Sequence, residues 1–77
     1  MDDKCREHLL TCVAEECAEV IQAICKYKRF RNQSLAPVYQ ELNDVIAVIE
    51  LLGFQSSDIA TSRKKVKVLK YYDEEGK

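Results

Sequence analysis

The chain has 77 residues and a formal net charge of −1, which leaves room for one small domain and excludes a generic binder of polyanions. Hydrophobic residues make up 47% of the chain, too large a share for a disordered segment. Two glycines and one proline are too few for a turn-rich β fold. The hydrophobic core of so small a chain provides only marginal stability by itself. We therefore expect either stabilising disulfides or a core completed by oligomerisation.

The cysteines and the N-terminal segment both indicate a reduced, cytoplasmic protein. Cys5, Cys12, Cys17 and Cys25 fall in one predicted helix, where the first two are about two turns apart. That separation exceeds the roughly 7 Å between Cα atoms that a disulfide allows. A single histidine without a C-x-x-C motif argues against a zinc site. Charged residues within 2–7 leave no visible signal peptide, and no apolar run approaches the roughly 20 residues of a membrane span.

Apolar periodicity predicts a first helix from about Asp3 to Arg29. The carboxylate of Asp2 or Asp3 can cap this helix by accepting hydrogen bonds from free backbone N–H groups. Basic residues in its last turn complement the helix dipole, and the loop 31–34 follows. The predicted buried stripe consists of Leu10, Val13, Cys17, Val20, Ile21 and Ile24.

A second helix is predicted from Leu35 to Leu52. Ser34 is a suitable cap, and Pro37 is tolerated in a first turn because its missing N–H would have no partner there. Gly53 follows at the position where a left-handed residue is favoured. The predicted buried stripe of this helix consists of Leu35, Val38, Leu42, Val45, Ile49 and Leu52.

A third helix is predicted from about Asp58 to Tyr72, and it is more basic than apolar. Arg63, Lys67 and Lys70 are spaced so that they share one face. The first 50 residues hold nine acids and six bases, whereas the remaining 27 hold four acids and six bases. This distribution suits a site that holds both a cation and a phosphate.

Together these segments predict an all-α chain. Residues 1–72 are expected to form one helical domain, and residues 73–77 a flexible C-terminal tail. We expect a three-helix protomer that completes a four-helix-type bundle by oligomerisation, because a chain of this length buries too little surface alone.

Two of the predicted helices each carry a pair of carboxylates three residues apart. Glu16 and Glu19 project from adjacent turns of one face of the first helix. Glu41 and Asp44 fall at the edge of the apolar stripe of the second helix, not opposite it. Four carboxylates at a shared interface are costly unless a cation compensates them. Oxygen-only ligands select hard ions, so the pattern predicts a site for Mg²⁺ or Mn²⁺ between the two helices.

Two other interpretations of these acids are a solvated face with helix salt bridges and a di-iron bundle. Solvated acids usually pair with a base along the helix, but Glu41 and Asp44 have no Lys or Arg three or four residues ahead. For Glu15, a solvent-exposed position on the helix explains the acid as well as a role in the site does. A di-iron bundle normally needs Glu-x-x-His, and His8 does not stand at that spacing from the acids.

The acidic motifs resemble those of a known family. E-E-x-x-E at 15–19 and E-x-x-D at 41–44 are similar to the signature of the MazG-like all-α nucleoside triphosphate pyrophosphohydrolases. The resemblance spans about residues 9–72 and includes K-x-x-R-F at 26–30 and K-V-x-K-Y at 67–71. The family members that the chain resembles are the small stand-alone ones that are common in phages and bacteria.

This resemblance implies hydrolysis of a nucleoside triphosphate between the α and β phosphates by a homodimer or homotetramer. Mg²⁺ is the implied cofactor, and Mn²⁺ can substitute for it. Glu15 could accept the proton of the attacking water or hold a ligand in place. The implied metal ligands are Glu16, Glu19, Glu41 and Asp44. The implied substrate-binding residues are Lys26, Arg29, Lys67 and Lys70.

Two other functions are compatible with a helical chain of this size. A non-catalytic helical module that binds nucleotides or proteins would turn over no nucleotide. A nucleic-acid binder using the face within 63–70 is not expected, since that basic stretch is short and the net charge is −1. The loop 30–36 is shorter than in many small family members and the chain has no tryptophan, so the sequence does not indicate how a base is recognised.

Overall fold

The computed structural model describes residues 1–31 and 34–75. They form three helices, α1 (Asp3–Arg29), α2 (Ala36–Leu51) and α3 (Asp58–Glu75). No strand occurs in these residues, which confirms the predicted all-α class and the three predicted helices. Within the same ranges, every helix is too short or too polar to cross a membrane.

Local sequence sets the helix ends largely as predicted. At the start of α1, the Asp2 side chain accepts a hydrogen bond from the Cys5 N–H at 2.7 Å. At the start of α2, Ser34 Oγ accepts one from the Ala36 N–H at 3.2 Å, but the N-cap residue is Leu35 and not the predicted Ser34. Gly53 follows α2 with a φ of 82°, a left-handed conformation that glycine adopts without steric cost.

Three helix boundaries differ from the prediction, and one of them is the end of α2, which lies at Leu51 and not at Leu52. α2 begins one residue later than predicted, with Leu35 at its N-cap position. α3 continues through residues 73–75, which were predicted to belong to the tail, because no glycine or proline interrupts the helix there. The rest of the predicted tail, residues 76–77, and residues 32–33 of the first loop lie outside the described residues.

α1 and α2 form an antiparallel hairpin, and in the described chain α3 packs against neither. The opposite direction of the two helices is evident because Tyr27, near the end of α1, lines the same cleft as Pro37, near the start of α2. Among the described residues only Leu9 and Val38 are buried. The Cα radius of gyration is 15.6 Å, against about 11.5 Å for a compact domain of this length. The hairpin therefore has a thin core, and α3 extends away from it.

The predicted apolar stripes coincide only partly with the faces through which α1 and α2 pack against each other. The buried or half-buried residues of α1 include Leu9, Val13, Glu16, Val20, Ala23 and Tyr27. Members of the predicted α1 stripe that are exposed instead are Leu10, Cys17, Ile21 and Ile24. In the predicted stripe of the second helix, Leu35 and Leu42 are likewise exposed. The predicted stripes are wrong at these positions because each helix carries two adjacent apolar stripes, and periodicity does not say which of them meets the neighbouring helix.

Candidate functional site

The hairpin brings three of the four predicted metal ligands together. Glu16 from α1, with Glu41 and Asp44 from α2, forms a group that we call the acidic trio. One carboxylate oxygen of each lies within 4.8 Å of the other two. Glu16 and Glu41 are half-buried because they belong to the faces that pack, whereas Asp44 is exposed one turn along. The trio therefore lies at one edge of the helix interface and is open on the Asp44 side.

No cationic side chain in the described part of the chain compensates the acidic trio. The ion pair recorded there joins Arg6 Nη1 to Asp3 Oδ1 at 3.1 Å, in the first turns of α1. Oε2 of Glu16 and Oε2 of Glu41 are buried and have no hydrogen-bond partner. Such oxygens are costly to bury without a donor or a cation. The contacts thus agree with a cation site and do not support a set of helix salt bridges.

The pKa values of Glu16 and Glu41 are both raised above the ordinary value of 4.5. Burial at the helix interface is the largest cause for both groups. For Glu16 the negative charges of Glu19 and Asp44 follow, and for Glu41 the neighbouring Glu19 carboxylate follows. The fold therefore holds both groups where ionisation is disfavoured without a cation, and a divalent ion would reverse that preference.

The remaining two predicted acids border the acidic trio. Glu19 is exposed on α1 and contributes to the raised pKa of both Glu16 and Glu41, which places it beside the two. Glu15 is also exposed, and its charge is the weakest cause of the Glu16 shift. It lies about 100° around the helix from Glu16. Glu19 thus borders the trio without belonging to the group of oxygens that lie within 4.8 Å of one another, while Glu15 lies at the outer margin.

A cleft of about 500 Å³ opens between α1 and α2 next to the acidic trio, and we call it the α1–α2 cleft. Residues that line it include Glu19, Glu41, Lys26, Tyr27, Ser34 and Pro37. Neither this cleft nor Tyr27 is predicted by the sequence. Ala23 is one of three alanines in α1, so its small side chain gives no distinct signal without the register between α1 and α2.

The predicted basic residues are divided between the two parts of the fold. Lys26 lines the α1–α2 cleft. Arg29 is exposed at the end of α1 and lies outside the described lining of the cleft. Lys67 and Lys70 lie on α3, which contacts neither α1 nor α2. Within one protomer, Lys26 is therefore the member of this predicted set that stands next to the acids.

Replacing Glu16 by glutamine is expected to stabilise the metal-free protein at neutral pH. A carboxyl with a raised pKa in the folded state stabilises the fold when protonated; this stabilisation is fully present below the ordinary 4.5 and is lost as pH rises through the raised value. Glutamine resembles the protonated acid at every pH. The stability gain of Glu16→Gln over wild type should therefore grow between about pH 4 and pH 7, as measured by urea unfolding in EDTA.

Glu7→Gln is the matched control for this measurement. Glu7 is exposed on the side of α1 away from α2, so this variant should show no comparable gain with rising pH. If the difference between Glu16→Gln and wild type stayed flat or shrank over the same range, desolvation of Glu16 would not be the cause of the shift.

Comparisons of the chain with protein-family models, with curated proteins and with solved structures gave no match. The function is therefore inferred from the acidic trio, from the α1–α2 cleft beside it and from the motifs in the sequence.

Proposed function

We propose that the chain is a Mg²⁺-dependent nucleoside triphosphate pyrophosphohydrolase that cleaves NTPs or dNTPs between the α and β phosphates. The observation that carries the proposal is the acidic trio, with two buried carboxylate oxygens that have no hydrogen-bond partner. A set of carboxylates without a compensating base suits a hard divalent ion. The spacing of the acids also resembles the MazG-like signature, in which the same positions bind metal.

The donor set fits the proposed ion. Glu16, Glu41 and Asp44 would hold it, with Glu19 beside them as a further ligand. Mg²⁺, or Mn²⁺ with the same oxygen ligands, supplies charge neutralisation for the phosphates and lowers the pKa of a water when bound.

The chain's own residues have separate roles in this reaction. The oxygen of a water forms a bond to the α phosphorus, the bond from that phosphorus to the bridging oxygen breaks, and pyrophosphate leaves. Glu15, exposed at the margin of the trio, either accepts the proton of that water or keeps a ligand in position. Lys26 projects into the cleft and donates to the bound substrate.

We also propose that the protomer works as a homodimer or homotetramer. Its accessible surface is 6930 Å², whereas a folded monomer of 8.9 kDa exposes about 4,800 Å². The excess, about 2,100 Å² per protomer, is of the size that obligate homodimers bury. An isolated 18-residue helix such as α3 is also marginal in water without a packing partner.

The surface proposed for self-association is an apolar side of the hairpin, which we define by Leu10, Ile21 and Ile24 of α1 with Leu42 and Ile46 of α2. All five are exposed in the protomer. On each helix they lie about 90° around the helix axis from the residues that face the other helix, counted in the direction of the chain. Because the two helices are antiparallel, this same rotation leads to the same side of the hairpin on both of them. The apolar residues of the two helices are therefore adjacent. Two hairpins packed through this side form a four-helix bundle.

The open side of the acidic trio, at Asp44, faces in the other direction. Glu19, Lys26 and Asp44 lie about a quarter turn before the facing residues, on the opposite side of the hairpin from the apolar side. Self-association would therefore leave the α1–α2 cleft open to substrate. Lys67 and Lys70 of α3 could reach the acids only after α3 docks, and we place that docking in the oligomer.

A panel of NTPs and dNTPs with Mg²⁺ tests the proposed activity, with monophosphate, pyrophosphate and orthophosphate scored separately. We expect at least one substrate to give equal amounts of monophosphate and pyrophosphate, and EDTA to stop the reaction. Release of orthophosphate alone would assign cleavage to another bond. No turnover by a protein of intact helicity would favour the non-catalytic helical module that binds nucleotides or proteins.

A further inference from the structure

We propose that the α1–α2 cleft receives the nucleoside half of the substrate, and that the ring of Tyr27 is the surface on which the base stacks. This inference rests on the proposed function, because it assigns the part of the same nucleotide that is not held at the acids. Neither the acidic motifs nor the basic positions of the sequence indicate such a site.

The position of the cleft supports this assignment. The near end of the cleft is formed by Glu41, which belongs to the acidic trio, and by Glu19, which borders it. Tyr27 lies eight residues beyond Glu19 on α1, about 12 Å along the helix axis. A nucleotide whose phosphates are held at the near end therefore extends its sugar and base toward Tyr27 and Ser34.

The chemistry of the far end favours a nucleoside over a phosphate tail. Val38 is buried beneath the cleft, and Pro37 with the half-buried Tyr27 adds apolar and aromatic wall. Bases stack on aromatic rings through either face, and this contact does not require a tryptophan. A polyphosphate needs several cations or N–H donors, but in the described lining Lys26 is the one cationic side chain and two glutamates stand nearby.

Polar groups beside the ring can contact the base or the sugar. Ser34 Oγ already accepts the Ala36 N–H at 3.2 Å, so its hydroxyl proton remains available to donate to a ligand. Lys26 can donate to a carbonyl or ring-nitrogen acceptor of a base. The wall of the cleft combines apolar and polar side chains in about equal measure, and its volume of about 500 Å³ is within the range of small-molecule sites.

Binding of products separates the two halves of the ligand. Isothermal titration of the full chain with Mg²⁺ and the common ribonucleoside and deoxyribonucleoside monophosphates should detect binding of at least one of them. Tyr27→Ala should weaken that binding about 5- to 150-fold, the range for loss of one base-stacking contact. Its affinity for pyrophosphate should stay within twofold of wild type. Tyr27→Phe retains the ring and should bind the monophosphate nearly as wild type does.

Tyr72→Ala is the matched control, since Tyr72 is an exposed tyrosine on α3, which does not contact the cleft. Circular dichroism of each variant reports whether the helices persist. The assignment is overturned if Tyr27→Ala binds monophosphates as wild type does, if it loses pyrophosphate affinity equally, or if wild type binds no monophosphate. A wild-type protein that binds a monophosphate in this way but hydrolyses no triphosphate would overturn the proposed reaction and leave the nucleoside site intact.

Discussion

Asp44→Asn is expected to lower Mg²⁺-dependent turnover at least about 100-fold while the metal-free fold stays as stable as wild type or becomes more stable. Asparagine keeps the size of the side chain but removes one of the three charges of the acidic trio. Removing one preorganised electrostatic group from an active site typically costs about 10²–10³ in rate. Asp44 is exposed, so the substitution takes no packing from the core, and it relieves repulsion on Glu16 and Glu41.

Metal-linked stability gives a second readout that does not depend on finding the substrate. Mg²⁺ at about tenfold its Kd should raise the unfolding free energy of wild type by about 1.4 kcal/mol, and Asp44→Asn should lose most of this increase. Glu50→Gln removes a carboxylate from α2 outside the trio and should retain both activity and the Mg²⁺ response. Full activity in Asp44→Asn would show that the metal assignment is wrong.

The double variant Ile21→Glu, Ile46→Glu is expected to convert the oligomer to a monomer of 8.9 kDa. These two side chains are 62% and 51% exposed in the protomer, so charges there disturb the α1–α2 packing little. In the proposed interface the same carboxylates would be buried without partners, which is strongly unfavourable. Sedimentation equilibrium at micromolar concentration gives the mass of each form, and circular dichroism checks that the hairpin stays helical.

Gln40→Glu is the matched control for the interface, because Gln40 is exposed on α2 away from the apolar side. It adds the same carboxylate and should remain oligomeric. A wild-type chain that is strictly monomeric at micromolar concentration would contradict the proposed association. An oligomer that tolerates both charges would instead place the interface on another surface.

Asp44→Asn and the double variant also test the two sides of the hairpin independently of each other. Asp44→Asn should remain oligomeric, because Asp44 lies on the side opposite the apolar side. The monomeric double variant keeps the acidic trio and the α1–α2 cleft, but it loses any contact that α3 makes with a second copy. We expect its KM for substrate to rise, because Lys67 and Lys70 then have no route to the phosphates.

The helices themselves could be read from the sequence because their causes are local. Asp2 caps α1, and Gly53 takes the left-handed conformation that ends α2. The acidic pairs were identifiable as well, since a three-residue spacing on a helix fixes which carboxylates share a face. Capping and spacing depend on nearest neighbours along the chain, so no tertiary information is required.

Other features could not be read from the sequence because they depend on how α1 sits against α2. Leu9 and Tyr27 face α2 while Leu10 and Ile21 do not, although all four belong to apolar repeats. The raised pKa values of Glu16 and Glu41 have the same origin, since burial at the interface is their main cause. A shift of one residue in the packing would move these side chains by about 100°.

The sequence by itself determined an all-α chain with two acidic pairs on successive helices. It also determined that the hydrophobic core is too small to make an isolated protomer stable. Seventy-seven residues bury little surface, and helix periodicity and capping are local properties. Only the tertiary structure decided that Glu16, Glu41 and Asp44 converge, that a cleft ending at Tyr27 adjoins them, and that α3 packs against neither helix of the hairpin. These features depend on the register and rotation of one helix against another, which are set by side-chain packing between segments distant in the chain.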